Sequence, residues 1–287
     1  MRRGAAVLLI TACSAAQPAS RAGLACEGTV SCGREQLIEA DQVLQDAVRR
    51  RGVVVAFSEV LLDDSKLLSE GRGVVSGKEQ ALAGLGAALE RHQMTASPSP
   101  ASSFTAPFGW TLARADVSSD AELGYSFGWM AQGHYAAVWR RQTGGWKLAV
   151  FMHKPAERQE VPSPPWFVPF HGERKPGPAA KQSVSAADIA FAALARQIGM
   201  HAAFTTYAAQ DAVQLARTMV FGRDSIHQLF KDAPLLHWGP LAGDAAGDLG
   251  YTIGAFTAGT RRGNYLTIWR LETDGSWRYI LDGGVSG

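Results

Sequence analysis

Apolar residues along the chain follow two different periods. Leu37, Ala40, Leu44, Ala47 and Val48 recur at helical spacing and mark one apolar face. Ala187 to Ile198 is dominated by helix formers, and Ser185 and Asp188 have capping-box-like spacing with Asp in place of Glu. Gly199 breaks that run, and a second short helix is expected over His201 to Ala209. Elsewhere the pattern is strand-like. Asp120 to Gly128, Gly133 to Arg141 and Trp146 to Met152 alternate or run apolar, as do Asp248 to Thr257, Asn264 to Glu272 and Ser276 to Leu281. Gly144-Gly145 and Asp274-Gly275 are hairpin turn signals. Helices followed by an antiparallel meander predict an α+β fold, a curved sheet wrapped over helices.

The same order occurs twice. Asp41 to Phe57 aligns with Asp188 to Phe204 at a shift of 147, which places Gly52 on Gly199 and Ala56 on Ala203, and further on Asp64 on Asp211 and Leu68 on Leu215. Leu123-Gly124-Tyr125-Ser126-Phe127-Gly128 aligns with Leu249-Gly250-Tyr251-Thr252-Ile253-Gly254. Gly133, Tyr135, Trp139 and Arg140 fall on Gly263, Tyr265, Trp269 and Arg270; Trp110 falls on Trp238, and Gly144 and Trp146 on Gly275 and Trp277. The shift here has dropped to between 126 and 131, so the first copy carries an insertion of roughly 20 residues, most of it the Ser/Pro-rich stretch around Ser97 to Ser103. Two copies indicate domain duplication, since a solenoid needs more. Between them, Pro155 to Pro178 holds seven of the chain's 13 prolines and reads as an extended linker. Trp166, Phe167 and Phe170 lie inside it, either pinned onto a domain or exposed.

The doubled order of Gly-x-x-x-Ala-Phe, an Asp-containing turn, Gly-Lys or Gly-Arg before a short helix, Leu-Gly-Tyr-x-x-Gly and Gly-x-Tyr-x-x-x-Trp-Arg resembles the SnoaL-like branch of the nuclear transport factor 2-like superfamily. The resemblance covers residues 34–154 and 183–287. It implies two tandem cone-shaped domains of cystatin-like α+β fold, each a curved, mostly antiparallel sheet around N-terminal helices. It specifies fold better than function, because the superfamily includes ketosteroid isomerases, dehydratases and polyketide cyclases beside binding modules without catalysis. It also implies that a second domain fills the role of the partner subunit in dimeric relatives, leaving intramolecular pairing or a homodimer as alternatives.

The chain has 287 residues, 46% of them hydrophobic and 19% charged, which is a globular composition. Its net charge of +2 and lack of a basic stripe argue against nucleic-acid binding; Arg49-Arg50-Arg51 reads as a solvated helix end. The start differs from the rest. Met1-Arg2-Arg3, the apolar stretch Ala5 to Ala12 and then Cys13 read as an export signal. Ile10-Thr11-Ala12-Cys13 resembles the lipobox of bacterial lipoproteins, which implies lipidation of Cys13 and a periplasmic location, with Ser14 favouring the outer membrane. The alternative is an ordinary cleaved signal with an incidental cysteine. The expected division is a signal over 1–13, a tether over 14–33, the first domain over 34–154, the linker over 155–182 and the second domain over 183–287. Cys26 and Cys32 could close a small disulfide loop before the first domain or remain free thiols.

Candidate chemistry is sparse. Gly124-Tyr125-Ser126-Phe127-Gly128 matches the nucleophile elbow in letters, but its flanks read as continuous strand and the second copy has Thr252 at the serine position. Gly71 to Lys78 lacks the phosphate-loop spacing and has Glu79 where a hydroxyl is needed. Gly77-Lys78 and Gly222-Arg223 are expected to start helices. The seven histidines form no metal-binding pair, so neither a metal nor a cofactor is expected. Asp63, Asp64 and Asp211 are expected to be turn or capping residues. By resemblance, an acid near the end of the last strand faces the cup, which singles out Asp282 as a candidate proton-transfer group. Its aligned position in the first copy is Phe151, and His153 is the nearest polar group there. The alternative is that Asp282 caps a turn into Gly283-Gly284 and His153 is a surface residue. Tyr207, Tyr251 and Trp269, with Tyr125 and Trp139 in the first copy, are candidate cup-lining residues, although recurrence at equal positions also suits core packing. The sequence thus points to a cell-envelope protein whose cups bind a small apolar ligand or pack as an interaction module. An isomerase, dehydratase or cyclase using Asp282 or His153 is the competing reading. Membrane attachment would be through a lipid anchor alone.

Overall fold

The computed structural model describes residues 29–95, 110–130, 133–156, 180 and 182–287. Cys13, Cys26, the Ser/Pro-rich stretch after residue 95 and nearly all of the proline-rich linker lie outside these residues. Two domains of the same α+β architecture follow one another. Each has two N-terminal helices, a strand pair, a third helix and a four-stranded meander.

In the first domain, α1 (Val30–Arg51) and α2 (Val53–Val60) lead into β1 (Leu61–Ser69), β2 (Gly73–Ser76) and α3 (Lys78–Thr95), then β3 (Trp110–Val117), β4 (Leu123–Met130), β5 (Gly133–Gln142) and β6 (Gly145–Lys154). The second domain repeats this as α4 (Val184–Ile198), α5 (Met200–Tyr207), β7 (Ala208–Leu215), β8 (Met219–Phe221), α6 (Arg223–Leu229), β9 (His237–Ala246), β10 (Leu249–Ala258), β11 (Arg261–Leu271) and β12 (Trp277–Ser286). Strand order is β2-β1-β6-β5-β4-β3 in one sheet and β8-β7-β12-β11-β10-β9 in the other. Only the β1–β6 and β7–β12 pairings are parallel; the rest of each sheet is antiparallel.

Local chemistry explains the helix boundaries. Thr29 and Ser183 cap α1 and α4 by accepting from the backbone N–H of Cys32 and Ala186. The cap of α4 is therefore Ser183, not Ser185, and Asp188 is buried for another purpose. Gly52 and Gly199 sit at φ of 83° and 87°, a conformation that glycine adopts without a steric penalty, and each turns the chain from one helix into the next. The predicted helix after Gly199 ends at Tyr207, and Ala208 and Ala209 already belong to β7. Lys78 and Arg223 do start helices. Asp63, Asp64 and Asp211 lie within strands rather than turns. Cys32 lies in the first turn of α1 and is disulfide-bonded to a cysteine outside the described residues.

Each sheet has two buried faces. One covers its own helices and forms the cup. The other meets the opposite domain, so that Tyr125, Phe127 and Trp129 of β4 belong to one hydrophobic cluster with Tyr251, Ile253 and Ile268 of the second sheet. Polar groups tie the same surface. The Asp211 carboxylate pairs with Arg114 at 3.3 Å and with Arg270 at 3.0 Å. Arg140 pairs with Asp244. The Ser119 N–H donates to Asp248 Oδ1 at 2.7 Å, the Gly71 N–H to the Ser286 carbonyl at 2.8 Å, and the Ser286 N–H to Glu70 Oε2 at 2.9 Å. Among the described residues no helix is long and apolar enough to cross a membrane.

Candidate functional site

Both cups are organised around a buried aspartate on the first helix. In the first domain, Asp41 accepts hydrogen bonds from Trp110 Nε1 at 2.9 Å, from Ser126 Oγ at 2.7 Å and from the Tyr135 hydroxyl at 3.2 Å. Trp139 Nε1 donates to Ser126 Oγ at 2.9 Å. In the second domain, Asp188 accepts from Trp238 Nε1 at 3.1 Å and from the Tyr265 hydroxyl at 2.7 Å, and Trp269 Nε1 donates to Thr252 Oγ1 at 2.9 Å. Burial pushes both carboxyls above their ordinary range, and the donors around them hold them back. Burial and the facing aspartates push Tyr135 and Tyr265 up in turn, so both phenols keep their protons.

This network settles the role of Ser126. It sits mid-strand in β4, fully buried, between an indole donor and a carboxylate. A strand continuous from Leu123 to Met130 has no nucleophile elbow. The flanking glycine also has a packing reason. At Gly254, which aligns with Gly128, a Cβ would stand 2.2 Å from the Tyr265 ring, so only glycine lets that ring lie across the strand toward Asp188.

The cups differ at their floors. On the cup face of the first sheet, Phe151 pairs with Leu67 of β1 and Ala137 of β5. Its ring packs 4.9 Å from Phe57, 6.1 Å from Tyr135 and 6.4 Å from Trp110, all of them buried. Among the described residues, aromatic side chains pack together at the floor of this cup. In the second sheet the equivalent three positions are Gln214 of β7, Thr267 of β11 and Asp282 of β12, again paired through the central residue. Asp282 Oδ1 accepts from Thr267 Oγ1 at 2.6 Å, and Oδ2 accepts from Gln214 Nε2 at 2.7 Å. The strand runs on to Ser286, so Asp282 is a mid-strand residue, not the cap of a turn into Gly283-Gly284.

A cavity of about 160 Å³ opens over this polar floor. Phe191, Phe204, Phe230, Leu236 and Trp238 form its apolar wall, with Tyr265 beside Asp282. Burial raises the Asp282 carboxyl to about 6, and the hydrogen bonds from Thr267 and Gln214 oppose the rise; nearby Asp188 adds to it and Lys154 subtracts. Lys154 belongs to the first domain. It ends β6, lines the cavity of the second domain, and its ammonium donates to the Gly284 carbonyl. Burial pulls its pKa down, while Glu70 and Asp282 support the charge. Arg261 also lines the cavity, with its guanidinium 5.7 Å from the centre of the Phe256 ring.

The predicted site residues divide accordingly. Asp282 lies on the cavity floor. Trp269 and Trp139 are cup-side core residues, and Tyr207 packs against Phe191 at 4.9 Å, outside the cavity lining. Tyr125 and Tyr251 lie on the opposite face. Tyr125 senses Arg114, Asp211 and Arg270 at the domain contact, and Tyr251 engages Arg140. Neither lines a cup, because both faces of these strands are buried and alternation gives no cue. His153 is half-buried beside the filled cup and does not line the cavity. Gln214, Thr267 and Lys154 were not legible as site residues. A mismatch between the copies, Leu67 against Gln214 and Ala137 against Thr267, was the available signal. Among the described residues no cluster of histidine, cysteine or carboxylate side chains could hold a metal ion.

No protein-family model matches the chain, and no curated protein matches it. Solved structures do. A ketosteroid isomerase-like protein from Erwinia carotovora aligns at 14% identity over 36% of this chain and 93% of that one, with a TM-score of 0.32. An NTF-2 like protein of unknown function from Silicibacter pomeroyi aligns at 16% identity over 36% and 92%, with a TM-score of 0.30. An NTF2-like protein of unknown function from Pseudomonas putida aligns at 14% identity over 45% and 92%, with a TM-score of 0.34.

Proposed function

We propose that the second domain is a cup that binds a small, largely apolar molecule, and that the first domain is its filled, structural counterpart. The observation that carries this reading is the exchange of Leu67, Ala137 and Phe151 for Gln214, Thr267 and Asp282 at one place in a repeated fold. A buried polar trio is costly unless it is satisfied or used. Here it coincides with an open apolar cavity, the arrangement typical of ligand sites. A cavity of about 150 Å³ with apolar walls suffices for a benzene ring, so the ligand is about one ring in size. The doubled motif order supports reading the chain as a tandem pair of SnoaL-like domains. The arginine-led apolar start and Cys13 support placing it at the cell envelope.

Binding is tested by an NMR titration of the full chain with benzyl alcohol. The expected outcome is saturable shifts at Phe191, Phe204 and Trp238, abolished in Asp282→Phe, which rebuilds the plug of the first cup. Shifts confined to the first domain would defeat the reading.

One observation favours a second reading, in which the cup moves a proton. Asp282 has a carboxyl held near pKa 6 in an apolar setting, poised to give or take a proton close to neutral pH. Hydrogen–deuterium exchange at the α-carbon of cyclohexanone would then be accelerated by the protein and lost in Asp282→Asn. An unchanged rate in that variant removes Asp282 from the chemistry.

A further inference from the structure

The wall of the second cup carries more positive charge than its own chemistry uses. Among the described residues, three side chains lining the cavity carry formal charge: Lys154, Arg261 and Asp282. Both oxygens of Asp282 are engaged by neutral donors, Thr267 and Gln214, so neither cation neutralises it by direct contact. Lys154 donates to a backbone carbonyl, and Arg261 lies over an aromatic face. The two cations are close enough for Arg261 to depress Lys154 electrostatically. Glu70 offsets Lys154 from outside the cavity, with one oxygen accepting from the Ser286 N–H. Among the described residues that line the cavity, two side chains are positive and one, Asp282, is acidic; Asp188 lies behind Trp238 and Tyr265 and does not line it. Lys154 is partly buried and Arg261 is exposed, so water screens part of their mutual repulsion.

The repeat shows that this arrangement is one-sided. Lys154 aligns with Val285, by the shift of 131 that places Phe151 on Asp282, and Val285 is fully buried in the apolar cluster. Among the described residues, a lysine of the first domain lines the second cup, and the aligned position in the other copy carries no charge. The cation thus goes with the cavity and not with the fold.

We propose that the ligand of the second cup is a small cyclic monocarboxylate, its ring against Phe191, Phe204 and Trp238 and its carboxylate toward Lys154 and Arg261. This rests on the reading of the cavity as a ligand site. With Asp282 ionised, a singly charged anion brings these lining charges to balance, whereas a dianion would face Asp282 with excess negative charge. A cationic ligand would add a third positive charge.

Calorimetric titration of the full chain with benzoate, benzyl alcohol and benzylamine tests the assignment. Benzoate is expected to bind at least tenfold more tightly than benzyl alcohol, and benzylamine more weakly than either. In Lys154→Met the preference for benzoate over the alcohol should fall toward unity, and in Lys154→Arg it should persist. If Lys154→Met fails to fold, Arg261→Met and the ranking on the unaltered chain carry the test. Benzylamine binding as tightly as benzoate, or an unchanged preference in the methionine variants, overturns the proposal. If benzyl alcohol binds but benzoate binds no better, the anion assignment alone fails. If none of the three binds, the ligand-cup reading fails with it.

Discussion

Phe151 and Asp282 occupy the same place in two sheets of one chain, each mid-strand between a β1-type and a β5-type neighbour. One closes its cup with an aromatic ring, and the other leaves a carboxyl over a cavity. The difference has a measurable electrostatic signature. The Asp282 carboxyl is raised to about 6 from 3.8, so the folded state holds its proton more tightly than the unfolded chain does. The associated stability is present below about pH 4 and is lost as pH rises through about 6. A rise of that size corresponds to about 3 kcal/mol. Asp282→Asn carries no such penalty, and the Gln214 amide can rotate to accept from the new amide. Denaturant unfolding of the variant relative to the parent chain should therefore show a relative gain of roughly that size between pH 4 and pH 7.

His134 has the opposite sign. It is fully buried on β5, and burial, with Lys154 nearby, lowers its pKa from 6.5 to about 4. The unfolded chain takes up the proton first, so stability is lost as pH falls from about 6.5 toward 4, by about 3 kcal/mol at the limit. His134→Phe should lose less stability than the parent chain over that interval. Parallel acid unfolding curves for the two would show that His134 is not desolvated in this way.

The Asp41 network predicts a purely structural defect. Asp41→Ala leaves the donors of Trp110, Ser126 and Tyr135 without their shared acceptor in a dry core. Each stranded donor costs about 1–3 kcal/mol, with partial relaxation expected. A loss of about 3–5 kcal/mol in unfolding free energy is expected. Asp41→Asn should cost less, since one oxygen still accepts. Ligand binding in the second cup should be retained by any Asp41→Asn molecules that stay folded.

Asp211 holds two arginines, one from each domain. Burial pushes its carboxyl up, but Arg270 and Arg114 outweigh this and the net pKa is lowered. Its contribution is present above the unfolded value and is lost as pH falls through the lowered one. Asp211→Ala leaves Arg114, nearly buried, without its counter-charge, and removal of one partner from such a pair costs about 3–5 kcal/mol. Calorimetry should show this as a lower first transition and, if the domains uncouple, as two transitions in place of one.

Cys13 carries a prediction independent of the fold. Cys13→Ala should shift the protein from the membrane fraction to the soluble fraction and abolish metabolic labelling with palmitate. Unaltered membrane association would rule out the lipobox reading.

Much of the fold was legible because the chain repeats itself. Trp110 and Trp238, Tyr135 and Tyr265, and Trp139 and Trp269 recur in both copies, and each pair proves to serve the same aspartate network. Their recurrence pointed to packing but not to Asp41 and Asp188; Asp188 resembled part of a capping box, and Asp41 stood only as the start of the aligned repeat. Tyr125 and Tyr251 were misplaced because their strands are buried on both faces, which erases the alternation that tells a cup side from an outer side. Lys154 had no local cue at all. Its significance comes from a cavity built largely by the other domain, and only tertiary structure brings the two together.

The contact between the two sheets has a further consequence. Two identical subunits joined face to face must offer each other the same side chains, so a lysine lent to one cup would be lent to both. A single chain carrying both halves escapes that symmetry, and its pairing does not weaken on dilution. One half can then specialise as a cork-filled buttress and supply a single cation across the seam. The other keeps its mouth open, a division of labour that a dimer of identical copies could not encode.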